Sequence, residues 1–182
     1  MARFYPALEA KHRDFIAAQK LFFTATGTAG SRLNLSPKGM DSLRVLSDTC
    51  IAYLDLTGSG NETAAHLTHD GRMTLMWCSF DANPLILRLY GHGRAVRRQD
   101  AEWAALHHRF APLPGERQLI VLDIESVQTS CGYAVPRYAY QGERDTLARW
   151  AEKKGPVGLL DYWREKNQVS IDGLPTHLLK DA

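Results

Sequence analysis

Short runs of apolar, β-branched and aromatic residues fill the middle of the chain, and Gly, Pro, Asn or Asp separates each run from the next. Runs of this length and composition, bounded by turn-forming residues, predict antiparallel strands. Six runs are long enough to form strands: residues 21–25, 32–36, 49–54, 73–78, 85–96 and 117–128. The pattern therefore predicts a mainly β fold with a six-stranded antiparallel core.

Helical periodicity flanks and interrupts these strands. Residues 6–20 have the spacing of an amphipathic helix, with Pro6 in its first turn. Further helical segments are predicted at residues 62–67, at 101–110, and at 144–153, the last continuing as 158–166. Residues 167–182 carry few structural signals, and we expect a partner chain to order them. The prediction is an α+β chain in which helices decorate a barrel.

Length and composition narrow the class of protein. A chain of 182 residues is long enough for one domain, spanning residues 1–182, with a core of ordinary size. Its hydrophobic fraction of 45% and net charge of +2 give no broad basic patch, so neither nucleic acid nor a membrane is an expected partner. Residues 1–8 lack the apolar core of a signal peptide and no run is long enough to span a bilayer, which predicts a cytoplasmic location.

The cysteines and histidines give no framework for a disulfide or a metal. Three cysteines at wide spacing predict reduced thiols. The histidines include two pairs, His66 with His69 and His107 with His108. No acidic or cysteine partner recurs beside these pairs at ligand spacing, so we predict no metal site.

The most informative stretch is the turn TGSGNET, residues 57–63, between a predicted strand and a predicted helix. The first N–H groups of a helix lack partners and lie at the positive end of its dipole, while the two glycines allow a ligand close to the backbone. The donors Ser59, Asn61 and Thr63 strengthen the prediction of an anion site. The alternative is an ordinary capped helix, because Ser59 and Glu62 also have the spacing of a capping box.

Two predicted strands carry polar residues at alternating positions. In the first, alternation places two leucines on one face and a polar set on the other, namely Arg32, Asn34 and Ser36. Pro37 is predicted to end this strand, and residues 38–39 to turn the chain. In residues 85–96 the alternating set is Arg88, Tyr90 and His92. Each set is equally typical of a solvent-exposed strand face.

Segments 32–39, 55–63 and 89–95, taken in this order, resemble the FMN-binding split-barrel family of pyridoxamine 5'-phosphate oxidase-like proteins. The resemblance runs from about residue 15 to residue 96, and residues 57–61 are its most specific part. It implies a split β-barrel that holds FMN at the two-fold interface of a homodimer. Residues 128–136 resemble the late-strand segment of a bacterial subgroup whose substrate is unassigned.

The resemblance also implies a set of cofactor-binding residues. Those implied to face the flavin ring or ribityl chain are Arg32, Asn34 and Ser36. The implied phosphate contacts are Lys38, Ser59, Asn61 and Thr63, and Arg88 would contact the ring edge or the phosphate. The set is completed by Pro37, Thr57, Gly58 and Cys131. Cys131 is either a packed thiol at a strand end or a thiol close to the flavin, and no histidine lies nearby in sequence to activate it.

The leading hypothesis is an FMN-dependent oxidoreductase acting on a small molecule. The flavin would supply the redox chemistry, which explains why no acid–base pair stands out, and no catalytic residue is predicted. True pyridoxamine phosphate oxidases carry basic residues near the C-terminus for the substrate phosphate, whereas residues 163–167 here read WREKN before an acidic or apolar tail. We therefore expect another substrate. The alternatives are a non-catalytic flavin-binding or sensing protein, the same barrel with haem or a deazaflavin, and a dimeric scaffold with an empty cleft.

Overall fold

The computed structural model describes residues 2–179; Met1 and residues 180–182, the ends of the predicted domain and tail, lie outside the described residues. Within this part of the chain there are eight strands and four helices. The strands are β1 Arg3–Tyr5, β2 Phe22–Thr26, β3 Asn34–Lys38, β4 Leu43–Ser47, β5 Cys50–Leu56, β6 Arg72–Cys78, β7 Ile86–Val96 and β8 Glu116–Ser130. The helices are α1 Ala10–Ala18, α2 Glu62–His69, α3 Trp103–His107 and α4 Thr146–Lys166.

The strands form one antiparallel sheet in the order β3-β2-β6-β7-β8-β5-β4, and β1 pairs with β8 off this path. The long strand β8 organises the sheet, since β7 pairs with residues 119–130 along one of its edges. Its other edge is shared, because β5 pairs with residues 116–123 and β1 with residues 127–129. The predicted mainly β split barrel with flanking helices is confirmed, with eight strands in place of the predicted six.

Two apolar clusters cover opposite faces of the sheet. The inner cluster, on what we call the inner face, includes Tyr53, Trp77, Leu87 and Leu89. The second cluster, on the other face of β5 and β8, includes Ala52, Leu54, Leu119 and Val121. Since successive strand residues point to opposite faces, burial on both faces requires nearly continuous apolar runs. This explains why β5 and β8 are recognisable in the sequence.

Strand β3 begins and ends two residues later than predicted, so the prediction that Pro37 ends the strand is wrong. Pro37 pairs with Phe23 inside the ladder. Because β3 is the edge of the sheet, a proline fits there with its missing N–H on the side away from β2. The shift brings Lys38 into the strand beside Asn34 and Ser36.

Strands β1 and β4 were not predicted. β1 has only three residues, and β4 has the mixed sequence LRVLS. β4 forms because a hairpin returns the chain along β5. The connection from β3 to β4 contains Met40 and Asp41, whose φ values of 63° and 53° lie in the left-handed region that residues other than glycine seldom adopt. A Met-Asp pair is not a sequence signature of this backbone conformation.

The helices differ from the prediction mainly at their ends. The N-terminal helix begins at Ala10 and not near Pro6, because Glu9 and His12 form a reciprocal cap. α3 has only five residues. α4 consists of two helical segments that meet at a kink, where Gly155 takes a non-helical φ of 64° before Pro156, close to the interruption that the sequence predicted. Among residues 2–179, every helix is too short or too polar to cross a lipid bilayer.

The tail packs on its own chain. Four of its residues are buried, namely Asn167, Ser170, Thr176 and Leu178. Arg97 Nη2 donates a hydrogen bond to the carbonyl of Thr176 at 2.7 Å. The expectation that a partner chain orders the tail is therefore wrong for residues 167–179.

Gly91 tests the packing of β7 on β8. A Cβ atom there would lie 2.0 Å from the carbonyl oxygen of Asp123, where the register of the two strands shifts. We expect Gly91→Ala to lower the free energy of unfolding by about 3 kcal/mol or more, measured by urea denaturation. The matched control is Gly158→Ala in α4, whose nearest neighbour is a flexible lysine side chain at 3.5 Å. The control should be neutral or stabilising by up to about 1 kcal/mol; equal effects of the two substitutions would contradict the packing argument.

Candidate functional site

A cleft of about 540 Å³ opens where the edge of the sheet, the 57–63 turn and the tail meet. Its volume lies within the range of small-molecule sites. The lining residues are Asn34, Ser36, Lys38, Asp55, Leu56, Gly58, Ser59, Gly60, Asn61, Glu62, Thr63, Arg117, Lys166, Val169, Ser170 and Ile171. We call this the candidate cleft.

A buried carboxylate lies at the base of the candidate cleft. Asp55, at the end of β5, is 2% exposed. Its Oδ1 accepts a hydrogen bond from Lys38 Nζ at 2.9 Å. Its Oδ2 accepts from Arg117 Nη2 at 2.7 Å and from Gln118 Nε2 at 2.9 Å. One carboxylate thus binds two cations and ties β3, β5 and β8 together.

The protonation of Asp55 follows from these contacts. Burial by itself would raise the pKa of Asp55, but the adjacent charges of Arg117 and Lys38, with their hydrogen bonds, hold the pKa well below its usual range. Asp55 is therefore an anion at neutral pH. The neighbouring phenol of Tyr53 is affected in the opposite sense, since burial and the charge of Asp55 raise its pKa and keep it protonated.

The end of α4 and the tail together fix the 57–63 turn. Thr57 Oγ1 accepts a hydrogen bond from Trp163 Nε1 at 2.9 Å and donates to the carbonyl of Gly115 at 2.7 Å. Asn167 Nδ2 donates to the carbonyl of Gly58 at 3.2 Å, and Asn167 Oδ1 accepts from Arg117 Nη1 at 2.8 Å. The turn is consequently rigid before any ligand binds.

The capping box considered as an alternative for this turn is not formed. α2 begins after Asn61, whose side chain makes no capping bond. Asn61 instead accepts from Gln118 Nε2 at 2.7 Å and donates to the carbonyl of Asn167 at 3.4 Å. The carboxylate of Glu62 accepts from the N–H of Ile171 at 3.0 and 3.1 Å.

Strand β3 turns its polar face into the candidate cleft. Asn34 Nδ2 donates to Thr63 Oγ1 at 3.0 Å, and Ser36 Oγ donates to Asn34 Oδ1 at 3.1 Å. The flanking leucines, Leu33 and Leu35, are 87% and 65% exposed. This is the reverse of an ordinary exposed edge, where the apolar face would be covered.

The structure brings seven of the predicted site residues together in the candidate cleft. They are Asn34, Ser36, Lys38, Gly58, Ser59, Asn61 and Thr63. Thr57 lies behind the turn and supports it. Most of the seven already have partners within the chain, whereas Ser59 is exposed and makes no side-chain hydrogen bond to the described residues.

The other predicted residues do not line this cleft. Arg32 is exposed and pairs with Asp172 of the tail through its backbone N–H and its guanidinium. Arg88 alternates with the buried Leu87 and Leu89, so it lies on the outer face of the sheet. On that face, neighbouring strands pair Arg88 with Met76, Met76 with Phe23, and Phe23 with Pro37. Cys131 follows the far end of β8, on the order of 40 Å from Arg117 for a straight strand.

The sequence reasoning missed the charged base of the cleft and its tail wall. The missed lining residues are Asp55, Leu56, Gly60, Glu62, Arg117, Lys166, Val169, Ser170 and Ile171. One signal was present: Asp55 and Arg117 are charged residues close to the ends of the apolar runs at residues 50–54 and 119–122. A buried charge needs a partner of opposite sign, and these two strands supply an acidic and a basic residue that can pair.

The thiols are unpaired in the described structure, as the sequence predicted. Cys50, Cys78 and Cys131 are all free. Burial and nearby Asp123 raise the pKa of Cys50 to about 11, and burial also raises the pKa of Cys78. Neither is an activated thiolate at neutral pH.

A second cleft of about 650 Å³ lies between α1 and β4. It has an apolar base that includes Phe22 and Trp77. None of the predicted site residues lines it. The candidate cleft is therefore the one that gathers the polar residues singled out by sequence.

The family model of pyridoxamine 5'-phosphate oxidase matches residues 8–131, more than half of the chain. A fungal relative, the pyridoxamine 5'-phosphate oxidase family protein ustO of Aspergillus flavus, is 39% identical over 193 residues, covering 96% of this chain and 78% of the relative. This chain belongs to the pyridoxamine 5'-phosphate oxidase family.

Solved structures share the fold of this family member. A pyridoxamine 5'-phosphate oxidase-like protein from Lactobacillus delbrueckii has a TM-score of 0.54 at 16% identity, covering 68% of this chain and 94% of that one. The FAD binding protein from Mycobacterium smegmatis has a TM-score of 0.50 at 15% identity, covering 69% and 97%. At these identities the likeness shows the fold alone.

The depressed pKa of Asp55 makes stability depend on pH. A carboxyl whose folded pKa lies below its unfolded value of about 4 stabilises the fold above that pH, and the contribution is lost as the pH falls through the folded pKa. We expect Asp55→Asn to cost about 3 kcal/mol at neutral pH, because Arg117 is left buried without its anion, and to reduce the loss of stability between about pH 5 and pH 3. Urea unfolding at several pH values measures both effects.

The control for this experiment is Asp123→Asn. Asp123 pairs with Arg94 at the surface, with most of its side chain exposed. Its substitution should cost less than about 1 kcal/mol. If Asp55→Asn kept the full acid sensitivity of the parent chain, the assigned role of Asp55 would be wrong.

Proposed function

We propose that this protein is an FMN-dependent oxidoreductase that acts on a small molecule and works as a homodimer with the flavin in the candidate cleft. The observation that carries the proposal is the convergence of the β3 polar face and the rigid 57–63 turn on one cleft in a member of the pyridoxamine 5'-phosphate oxidase family. The FAD binding protein from Mycobacterium smegmatis, which shares the fold, supports a flavin as the ligand.

The residues present fit a flavin. The cleft offers hydroxyl and amide groups from Ser36, Asn34 and Ser59 for the heteroatoms of a flavin ring or ribityl chain. Lys38 lines the cleft with its ammonium 2.9 Å from Asp55, which leaves N–H donors free for a ligand. Val169 and Ile171 of the tail add apolar surface for a ring.

A bound flavin supplies hydride and electron transfer, and the chain supplies position and electrostatics. Lys38 places a positive charge in the cleft that favours an anionic, reduced ring. The buried bonds from Asn167 and Trp163 hold the 57–63 turn, so the cleft keeps its shape without reorganising when the ligand enters.

The homodimer accounts for the predicted residues that lie outside the cleft. Arg88 and Pro37 share a row on the outer face of the sheet, and Cys131 lies at the far end of β8. Leu33 and Leu35 are exposed beside the cleft, as expected of a surface that a second copy covers. In a two-fold arrangement, the outer face of one copy would complete the cleft of the other.

We also propose that the substrate is not pyridoxine phosphate. The one basic side chain that the tail end of α4 brings to the cleft is Lys166, which pairs with Glu165 at 2.8 Å. Trp163 and Asn167 are committed to the turn. The described part of the tail thus offers no cluster of cations for a second phosphate group.

A non-catalytic flavin-binding protein is the second candidate, and one observation favours it. The acidic side chains that line the cleft are already bound, Asp55 to two cations and Glu62 to the N–H of Ile171. Neither is free to act as a general acid or base. Anaerobic reduction of the bound flavin by NADH, NADPH or small organic donors, followed by reoxidation with oxygen or a quinone, separates an enzyme from a carrier.

The first prediction from this proposal concerns the cofactor. The purified protein should bind FMN, seen as quenching of flavin fluorescence, and Lys38→Met should weaken binding by about tenfold through loss of a charged donor. The control is Lys153→Met, an exposed lysine of α4, which should bind FMN as the parent does. Failure of the parent protein to bind any flavin would refute the proposal.

The second prediction concerns the two-chain site. Ser36→Trp should block the cleft, and Arg88→Ala should impair the face that completes the partner's cleft. When equal amounts of the two variants are unfolded together and refolded, half of the dimers contain one chain of each variant. Each mixed dimer has one intact site out of two, so the mixture should show about a quarter of the parent protein's flavin-binding capacity. If each site is built from one chain, the refolded mixture would bind no more flavin than the two variants do when they are measured separately. Circular dichroism must first show that each variant folds.

A further inference from the structure

A carboxylate of the chain itself lies beside the predicted anion position of the candidate cleft. Glu62 is the first residue of α2, where the free N–H groups of the helix would attract a negative ligand. Its carboxylate folds back over the turn, so that a Cβ atom on Gly60 would lie 3.1 Å from Glu62 Oε1. Gly60 is one of the two glycines expected to allow a phosphate close to the backbone, and the approach to it is occupied.

The tail holds this carboxylate in place. The N–H of Ile171 donates to both oxygens of Glu62, at 3.0 and 3.1 Å. Asp172 is in turn anchored by Arg32, whose N–H donates to its carboxylate at 2.8 Å. The position of Glu62 therefore depends on a backbone donor that is itself fixed, and not on a freely rotating side chain.

The cations that line the cleft already have anionic partners within the chain. Its charged lining residues are Lys38, Asp55, Glu62, Arg117 and Lys166, a net charge of +1. Lys38 and Arg117 both bind Asp55, and Lys166 binds Glu165. A phosphate monoester, with a charge of about −1.5 to −2 at neutral pH, would meet a fixed carboxylate and cations that already have partners.

We propose that Glu62 makes the cleft nearly indifferent to the phosphate of its flavin, so that FMN and riboflavin bind with similar affinity through the ring and the ribityl chain. This inference rests on the proposed function, because it concerns the same cleft and the same ligand. Glu62 acts as a specificity-determining residue, and Ile171 positions it.

The ratio of two dissociation constants tests the inference. In the parent protein, the Kd of riboflavin should exceed that of FMN by less than about tenfold. Glu62→Gln keeps an oxygen that accepts from the N–H of Ile171 and removes the charge. It should tighten FMN binding by about tenfold while the Kd of riboflavin changes by less than about twofold, both measured by fluorescence quenching at one ionic strength.

Glu152→Gln is the matched control, since it changes the net charge of the protein equally from an exposed position on α4. It should leave both dissociation constants unchanged. A parent protein that binds FMN more than about a hundredfold tighter than riboflavin, or a Glu62→Gln variant with an unchanged ratio, would overturn the inference and leave the proposed flavin site intact. Failure of both flavins to bind the parent protein would overturn the proposed function and the inference together.

Discussion

The buried ion pair of Asp55 and Arg117 is the contact on which the cleft depends. Both side chains are almost fully buried, and Arg117 Nη2 lies 2.7 Å from Asp55 Oδ2. Arg117 also donates to the carbonyl of Gly60 at 3.0 Å and to Asn167 at 2.8 Å, so one guanidinium reaches the strand end, the turn and the tail. A buried pair is costly to desolvate and adds little stability over an apolar pair, but leaving either charge alone costs several kcal/mol. The pair therefore specifies one arrangement of these segments.

The inner face of the sheet lines the cleft and the core, whereas the outer face of β3 and β7 carries side chains that lie outside both. Along β3 the inner face carries Asn34, Ser36 and Lys38 into the cleft, while the leucines between and before them remain uncovered. β7 shows the same division, with Leu87 and Leu89 in the core and Arg88 outside, bonded to Ser130 at 3.2 Å. Because alternation is a property of every strand, the predicted site residues had to separate between faces unless a second chain brings them together.

The fold and part of the site could be predicted from the sequence. The contacts of the remaining site residues explain why those residues could not be predicted. β5 and β8 are buried on both faces, so their apolar runs are distinct, and the glycine turn before α2 has its own signature. The pairing of Asp55 with Arg117 joins residues 62 positions apart, and that of Asn61 with Asn167 joins residues 106 apart. No local pattern encodes such distances. For this reason the sequence did not reveal the tail residues that line the cleft, because their position depends on contacts with the distant 57–63 turn.

The use of cations inside the chain limits what the site can recognise. Lys38 and Arg117 both pair with Asp55, and the first residue of the helix that would hold a phosphate is the acidic Glu62. The wall contributed by the tail is instead apolar at Val169 and Ile171, both exposed at the mouth of the cleft. A substrate selected by such a wall would be recognised through shape and apolar contact more than through charge. If Glu62 sets the ligand preference as proposed, one carboxylate at the start of α2 and a tail that packs on the turn would change which ligands the cleft accepts without any change of fold.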